Sequence, residues 1–211
     1  YSHAARRPES DLELDGEPYD EPGYLTDLIS NRAAQYVRDR AADKNPFLLS
    51  LHYTAPHWPW ETRAQGKIDP EISRDISHLD GGNVETYQTM IREMDEGIGC
   101  VIDALKETDQ LDDTVIVFTS DNGGERFSDN WPLVGGKMDL TEGGIRVPYI
   151  LHWPKGITDP GRVSTQHCLT MDWTATILDI AGAIPPAGHK IDGISLVSTF
   201  KSAGSTFERP M

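Results

Sequence analysis

Cysteine is scarce in this 211-residue chain, which holds only Cys100 and Cys168. Two are too few for a disulfide framework. Cys100 falls within a helical pattern and Cys168 lies past a strand pattern, so both are read as free thiols. No run approaches the roughly 18 consecutive apolar residues of a membrane-crossing helix, and no membrane span is expected. Basic residues are in the minority, 19 against 34 acidic ones, for a net charge of −15. That balance repels phosphodiester backbones and anionic lipid, so neither nucleic acid nor a membrane is expected as a partner. A small anion is a different matter, because a local cluster of donors inverts the field inside one pocket. No internal repeat is present. The chain opens at Tyr1 without the apolar core of a secretory signal. Location and oligomeric state are left open, with a periplasmic or secreted parent protein compatible with the chain.

What is present suits a folded domain. The apolar share counted with Gly and without Tyr, about 43%, is close to the globular range and argues against wholesale disorder, and the length is about 1.4 times a 150-residue domain. Residues 1–22 carry seven acids, two arginines and no usable periodicity, and read as a solvated acidic arm. Thr26 is the expected cap of a first helix, with Leu28, Ile29, Ala33, Tyr36, Val37 and Ala41 at three- and four-residue steps. After the break at Lys44-Asn45-Pro46, the apolar run Phe47–Tyr53 predicts a strand covered on both faces. A loop stiffened by Pro56 and Pro59 follows and holds His57, Trp58 and Trp60. Asn83 caps a second helix whose stripe runs from Tyr87 through Met90, Met94 and Ile98 to Leu105.

The β-branched run Thr114–Thr119 predicts a strand ending at Ser120-Asp121-Asn122-Gly123-Gly124-Glu125. Glycine-rich turns then lead to a strand at Tyr149–Trp153 and to a helix capped by Asp172 and closed by Gly182, with loop-like residues over 183–211. Strand, helix and strand in this order predict an α/β fold with a mostly parallel sheet and helices on both faces. Chemistry in such folds gathers at the carboxyl ends of the strands.

Three places there carry candidate chemistry. Asp121 and Asn122 offer a carboxylate and an amide oxygen, donors that suit a hard divalent cation, calcium above all with magnesium as the alternative. The competing reading is an Asn-Gly hairpin turn. His57 is placed to donate to an anion or to protonate a leaving group; the competing reading packs it between Pro56 and Trp58. Lys137 follows two glycines that let a ligand approach the backbone, unless it is one more exposed lysine. Asp112 and Asp113 precede their strand and are assigned to a turn, while Glu142 and Arg146 are expected to pin their own loop. Trp58 and Trp60 are either a wall for a sugar or aromatic ring or part of the core.

Several motifs in order, Ala55-Pro56-His57-Trp58-Pro59, Phe118 through Glu125, Gly135-Gly136-Lys137, Glu142 through Pro148, Trp153-Pro154 and Asp192 through Leu196, resemble the type I sulfatases of the alkaline-phosphatase-like superfamily over residues 24–200. The resemblance implies that Asp121 and Asn122 ligate calcium and that His57 and Lys137 contact a sulfate group. It also implies a formylglycine nucleophile made within Cys-x-Pro-x-Arg, a motif that neither cysteine here fits. That nucleophile, an Asp-Asp ligand pair and a motif arginine are expected upstream of Tyr1, and a small carboxyl-terminal sheet is expected after a lead-in at 201–211. The expectation is therefore a catalytic-domain fragment over 23–200, inactive alone, of an enzyme that hydrolyses a small-molecule sulfate ester. The alternatives are a phosphate or phosphonate monoester hydrolase and a non-catalytic module binding an anion or a partner.

Overall fold

The computed structural model describes residues 12–43, 45–65, 82–201 and 205–209. The region expected to be one catalytic fragment divides into two compact units. One comprises the chain up to Leu111 together with Thr119–Pro148, and the other comprises Asp112–Phe118 and the chain from Tyr149 onward.

The first unit corrects the reading of the amino-terminal arm. Residues 1–11 lie outside the described residues, but 12–22 contain a small hairpin. Strands β1 (Glu13–Leu14) and β2 (Glu17–Pro18) pair antiparallel with Glu13 opposite Pro18. Asp15 and Gly16 make the turn at φ 55° and 85°, the two positive values a type I′ turn requires and that an Asp-Gly pair accepts readily. The abundant surrounding charge hides this local signal.

Helix α1 spans Leu25–Arg40, and its N-cap is Tyr24, two residues earlier than the expected Thr26 and without a side-chain cap bond. The entry is set by a tertiary contact instead, since the Tyr24 hydroxyl donates to the Glu61 carbonyl at 3.1 Å. Thr26 is buried inside the first turn. Helix α2 spans Val84–Glu107 and is capped as expected, Asn83 Oδ1 accepting from the Thr86 N–H at 2.8 Å, a bond that stabilises a helix by about 1 kcal/mol. Cys100 is mid-helix and free.

The two helices approach closely at Gly97, where a Cβ would come within 2.1 Å of Ser30 Oγ. Ser30 also meets the Tyr53 hydroxyl at 2.9 Å. Arg63 then joins the loop after His57 to both helices. Its guanidinium holds Asp27 of α1 at 2.7 and 2.8 Å and Glu96 of α2 at 3.1 Å, while its N–H is shared between the Glu93 oxygens. A bidentate network of this kind is worth more than an isolated surface pair.

Phe47–Tyr53 does not form the expected strand. Burial alternates along it, Phe47, Leu49, Leu51 and Tyr53 being half-covered and Leu48 68% exposed. That is the profile of an extended segment with one covered face, and a ladder also needs a hydrogen-bonded neighbour, which the described residues do not supply.

In the second unit, β3 (Ile116–Thr119, whose last residue opens the first unit's segment Thr119–Pro148) pairs with β4 (Tyr149–His152). Asp112 and Asp113 sit in a 3-10 turn ahead of β3 as expected. Between the strands, and within the first unit, the short helix α3 covers Glu142–Ile145, with Arg146 paired back to Glu142 at 3.0 Å.

Helix α4 spans Asp172–Ala181 and ends at Gly182, whose φ of 63° makes the left-handed stop. A second correction concerns Asp172, which is the first helical residue rather than the cap. Its fully buried carboxylate accepts from the Leu169 N–H at 2.8 Å and the Ile194 N–H at 2.9 Å and pairs with Arg209. Thr176 Oγ1 adds an acceptor for the Leu196 N–H. Asp172 thus ties the segment Asp192–Leu196 to the helix. The region beyond 183 also contains one further short helix, α5 (Val197–Lys201). Trp173 of α4 stacks between Tyr149 and Phe200, with centroids at 5.6 and 6.2 Å.

Burial by itself pushes the Asp172 carboxyl up, but Arg209 and the two backbone N–H groups bring it below the ordinary aspartate range. A depressed folded pKa stabilises above the unfolded value, and that contribution is lost as pH falls through the folded pKa. Asp172→Asn should therefore cost about 3 kcal/mol at pH 7 by breaking a buried pair. The gap from the parent chain should narrow in urea titrations at pH 3 and below, and a constant gap would contradict the assignment.

Candidate functional site

Three loops of the first unit build the site. The loop at Thr54–Trp60 presents His57, the loop after β3 presents Asp121 through Glu125, and the glycine loop before α3 presents Lys137.

Trp60 anchors the first loop. It is 3% exposed, in a cluster with Ala55 and Met90, against which Trp58, Tyr87, Met94 and Phe127 pack. Its indole N–H donates to the Pro56 carbonyl at 3.2 Å, and its ring meets Phe127 edge-on at 4.8 Å. Trp60 is therefore core and not available as a ligand wall, while the half-buried Trp58 keeps part of its ring accessible. With Trp60 inside, His57 is left exposed at the loop tip.

The tautomer of His57 follows from its neighbours. Nδ1 lies 2.6 Å from the Trp58 carbonyl oxygen, which only accepts, so Nδ1 carries the hydrogen. In the neutral ring Nε2 is then an acceptor, and the Lys137 ammonium donates to it at 2.9 Å. Lys137 also donates to Glu125 Oε2 at 3.1 Å, and its side chain is 22% exposed. It is not an ordinary surface lysine. Nor is His57 packed between Pro56 and Trp58.

Glycines permit this convergence. The Gly123 N–H donates to the Gly144 carbonyl at 2.8 Å, the Gly143 N–H to the Val134 carbonyl at 2.8 Å, and the Lys137 N–H to the Gly124 carbonyl at 2.9 Å. A Cβ on Gly123 would lie 1.8 Å from the Gly143 oxygen, and one on Gly143 would lie 2.1 Å from that of Gly135. Backbone meets backbone, so no flexible side chain can yield. Asn130 Nδ2 bridges two of the loops by donating to the carbonyls of Gly124 and Gly135, each at 3.1 Å. Lys137 itself sits in a turn closed by the Asp139 N–H to the Gly136 carbonyl at 2.9 Å. Met138, at φ 77°, takes the left-handed position such a type II turn requires.

Asp121 and Asn122 stand just past β3, joined to Lys137 through the backbone of Gly123 and Gly124. The alternative Asn-Gly hairpin does not form, and neither residue has the positive φ it needs. The Asn122 amide N–H donates to the Gly123 carbonyl at 3.0 Å, which leaves Oδ1 as its acceptor atom. The Asp121 carboxylate is exposed and makes no hydrogen bond or ion pair among the described residues. Two oxygen donors are thus available to a hard cation, although no cluster of three His, Cys, Asp or Glu side chains able to hold a metal occurs among the described residues.

Glu125 is the residue sequence reading passed over. It lies inside a quoted motif, but a separation of 12 residues from Lys137 follows no helical or strand period, so nothing local assigned it a role.

The family model described as Sulfatase matches residues 2–183. This chain belongs to the sulfatase family. Human N-acetylgalactosamine-6-sulfatase is 31% identical over 193 residues, 89% of this sulfatase chain and 34% of that protein. Mouse steryl-sulfatase is 34% identical over 197 residues, 89% of this chain and 29% of that one. A crystal structure of Ps i-CgsB in complex with k-i-k-neocarrahexaose superposes with a TM-score of 0.78 at 33% identity, covering 90% of this chain and 41% of that one. The sulfatase chain thus spans about a third of the length of the curated relatives it matches. The expected α/β class is met, the fold being that of the alkaline-phosphatase-like sulfatases.

The glycine packing of the sulfatase chain is testable. Gly123→Ala should lower stability by about 1–3 kcal/mol, the usual cost of overpacking. Gly99→Ala, on α2 with nothing within 4 Å of the added Cβ, should raise it by up to about 1 kcal/mol through helix propensity. Urea denaturation of the two variants checks the contrast, and equal effects would contradict it.

Proposed function

We propose that this chain carries the sulfate-binding face of a sulfate ester hydrolase, with His57 and Lys137 contacting the sulfuryl group. The observation that supports the reading most is the 2.9 Å contact between Lys137 and His57, two groups brought from loops 80 residues apart to one point. The Lys137 ammonium would donate to the non-bridging sulfuryl oxygens, where negative charge develops. His57 would act through Nε2, because Nδ1–H is committed to the Trp58 carbonyl. Once protonated at Nε2, which displaces the hydrogen that Lys137 donates there, the imidazolium would pass that proton to the ester oxygen while the sulfur–oxygen bond breaks, so that the leaving group departs as a neutral alcohol.

Asp121 and Asn122 Oδ1 would hold part of the oxygen shell of calcium, which would supply positive charge to offset that of the sulfate ester. The nucleophile is assigned outside these residues, since no Cys-x-Pro-x-Arg occurs in them. The family resemblance implies a formylglycine, which would supply the nucleophile.

A small-molecule sulfate ester is the proposed substrate. The names of the relatives refer to N-acetylgalactosamine 6-sulfate and steryl sulfate, and the superposed structure holds a neocarrahexaose. With Trp60 in the core, Trp58, centred 5.2 Å from the His57 ring, is the aromatic face left for a sugar or sterol ring.

The full-length gene product should release 4-nitrophenol from 4-nitrophenyl sulfate faster than from 4-nitrophenyl phosphate. Lys137→Ala and His57→Ala should each lower kcat by about 10²–10³-fold, as for loss of one oxyanion donor. Faster phosphate hydrolysis would shift the assignment to a phosphate monoester hydrolase, and unchanged variants would remove both residues from the site. The 211-residue chain alone should show no turnover above that of its Asp121→Ala variant.

Calcium binding to the 211-residue chain should be weak, because two protein oxygens fall short of the six to eight ligands calcium takes. Titration calorimetry with the chain and Asp121→Ala checks this, and a sub-micromolar site would contradict it.

A further inference from the structure

We propose that Glu125 is a positioning residue, which holds the Lys137 ammonium beside His57 Nε2 so that the remaining ammonium hydrogen faces an incoming oxyanion. The proposal rests on reading His57 and Lys137 as the sulfate site.

Lysine is a poor choice for a defined geometry unless something holds it. Its four-carbon stem is rich in rotamers, and its charge is a point without directional preference. In this chain Lys137 is attached twice to one dipeptide. Its backbone N–H donates to the Gly124 carbonyl at 2.9 Å, and its ammonium donates to the next residue, at Glu125 Oε2 and 3.1 Å. The base of that attachment is itself secured, because the Ser128 N–H and hydroxyl both donate to the Glu125 carbonyl. Of the three ammonium hydrogens, one goes to Glu125 and one to His57 Nε2, which leaves one for a ligand.

The charge of Glu125 argues in the same direction. A carboxylate beside an anion site lowers the affinity for an anion by repulsion, so its field and its positioning effect have opposite signs. They can therefore be separated. If Glu125 acted only through its field, removing it would tighten anion binding. If it positions Lys137, removing it lets the ammonium wander and weakens binding even though a like charge has gone. Glu125→Gln keeps an acceptor oxygen at nearly the same place, which makes it the intermediate case.

The test is NMR titration of the 211-residue chain with phenyl sulfate, together with the nuclear Overhauser contact between Lys137 Hε and His57 Hε1. Glu125→Ala should weaken phenyl sulfate binding at least tenfold and abolish the Lys137–His57 contact. Glu125→Gln, nearly isosteric and expected to fold, should lose about threefold and keep the contact. Equal or tighter binding by both variants, with the contact intact, overturns the proposal. If phenyl sulfate binds neither the parent chain nor the variants while the contact still depends on Glu125, the sulfate-site reading fails and the positioning role stands.

Discussion

Direct packing of one peptide backbone on another is the constraint on which the site depends. Gly123 against Gly143, Gly143 against Gly135 and Gly136 against Gly124 leave no space for a Cβ, and the same approach lets peptide groups of the loop after β3 bond to those of the glycine-rich segment 134–144. A side chain at any of these positions would push two loops apart by ångströms, and the ammonium of Lys137 would then miss both Glu125 and His57. The cost of glycine's freedom in the unfolded chain is offset here by hydrogen bonds that no other residue would allow.

His57 depends on a second, independent support. Trp60 is buried among Ala55, Met90 and Phe127, so the loop that carries His57 is moored two to three residues from its tip. Arg63 continues the mooring into both long helices through Asp27, Glu93 and Glu96. The helices thus act on the site at a distance, and the stripe on α2 that includes Met90 serves the loop as much as the helix pair. Charge follows the same logic. A chain with a net charge of −15 still concentrates an ammonium and an imidazole at one point, with the Glu125 carboxylate paired to the ammonium.

Legibility in the sequence varied with the range of the interaction. Asn83 and Gly182 were recognisable because a cap is a bond across three or four residues. Asp172 was recognisable as important but mistaken in role, since its partners Ile194 and Arg209 lie 22 and 37 residues away. Two turn signals misled in opposite ways. Asn122-Gly123 has the composition of a hairpin turn and makes none, because Gly123 is held by Gly144; Asp15-Gly16 makes one inside a stretch that charge alone marked as an arm. Phe47–Tyr53 has strand composition, yet a strand is a property of two segments and none of the described residues forms a ladder with this one.

The motifs determined the family, the candidate residues His57, Asp121, Asn122 and Lys137, and the α/β class, because short ordered patterns and apolar periodicity are written in consecutive residues. Only tertiary structure decided that Trp60 is core, that His57 is held as the Nδ1–H tautomer by Trp58, and that Lys137 donates to both His57 and Glu125. Those facts rest on loops far apart in the chain meeting within hydrogen-bond distance, and hydrogen bonds of that kind leave no period in a linear sequence.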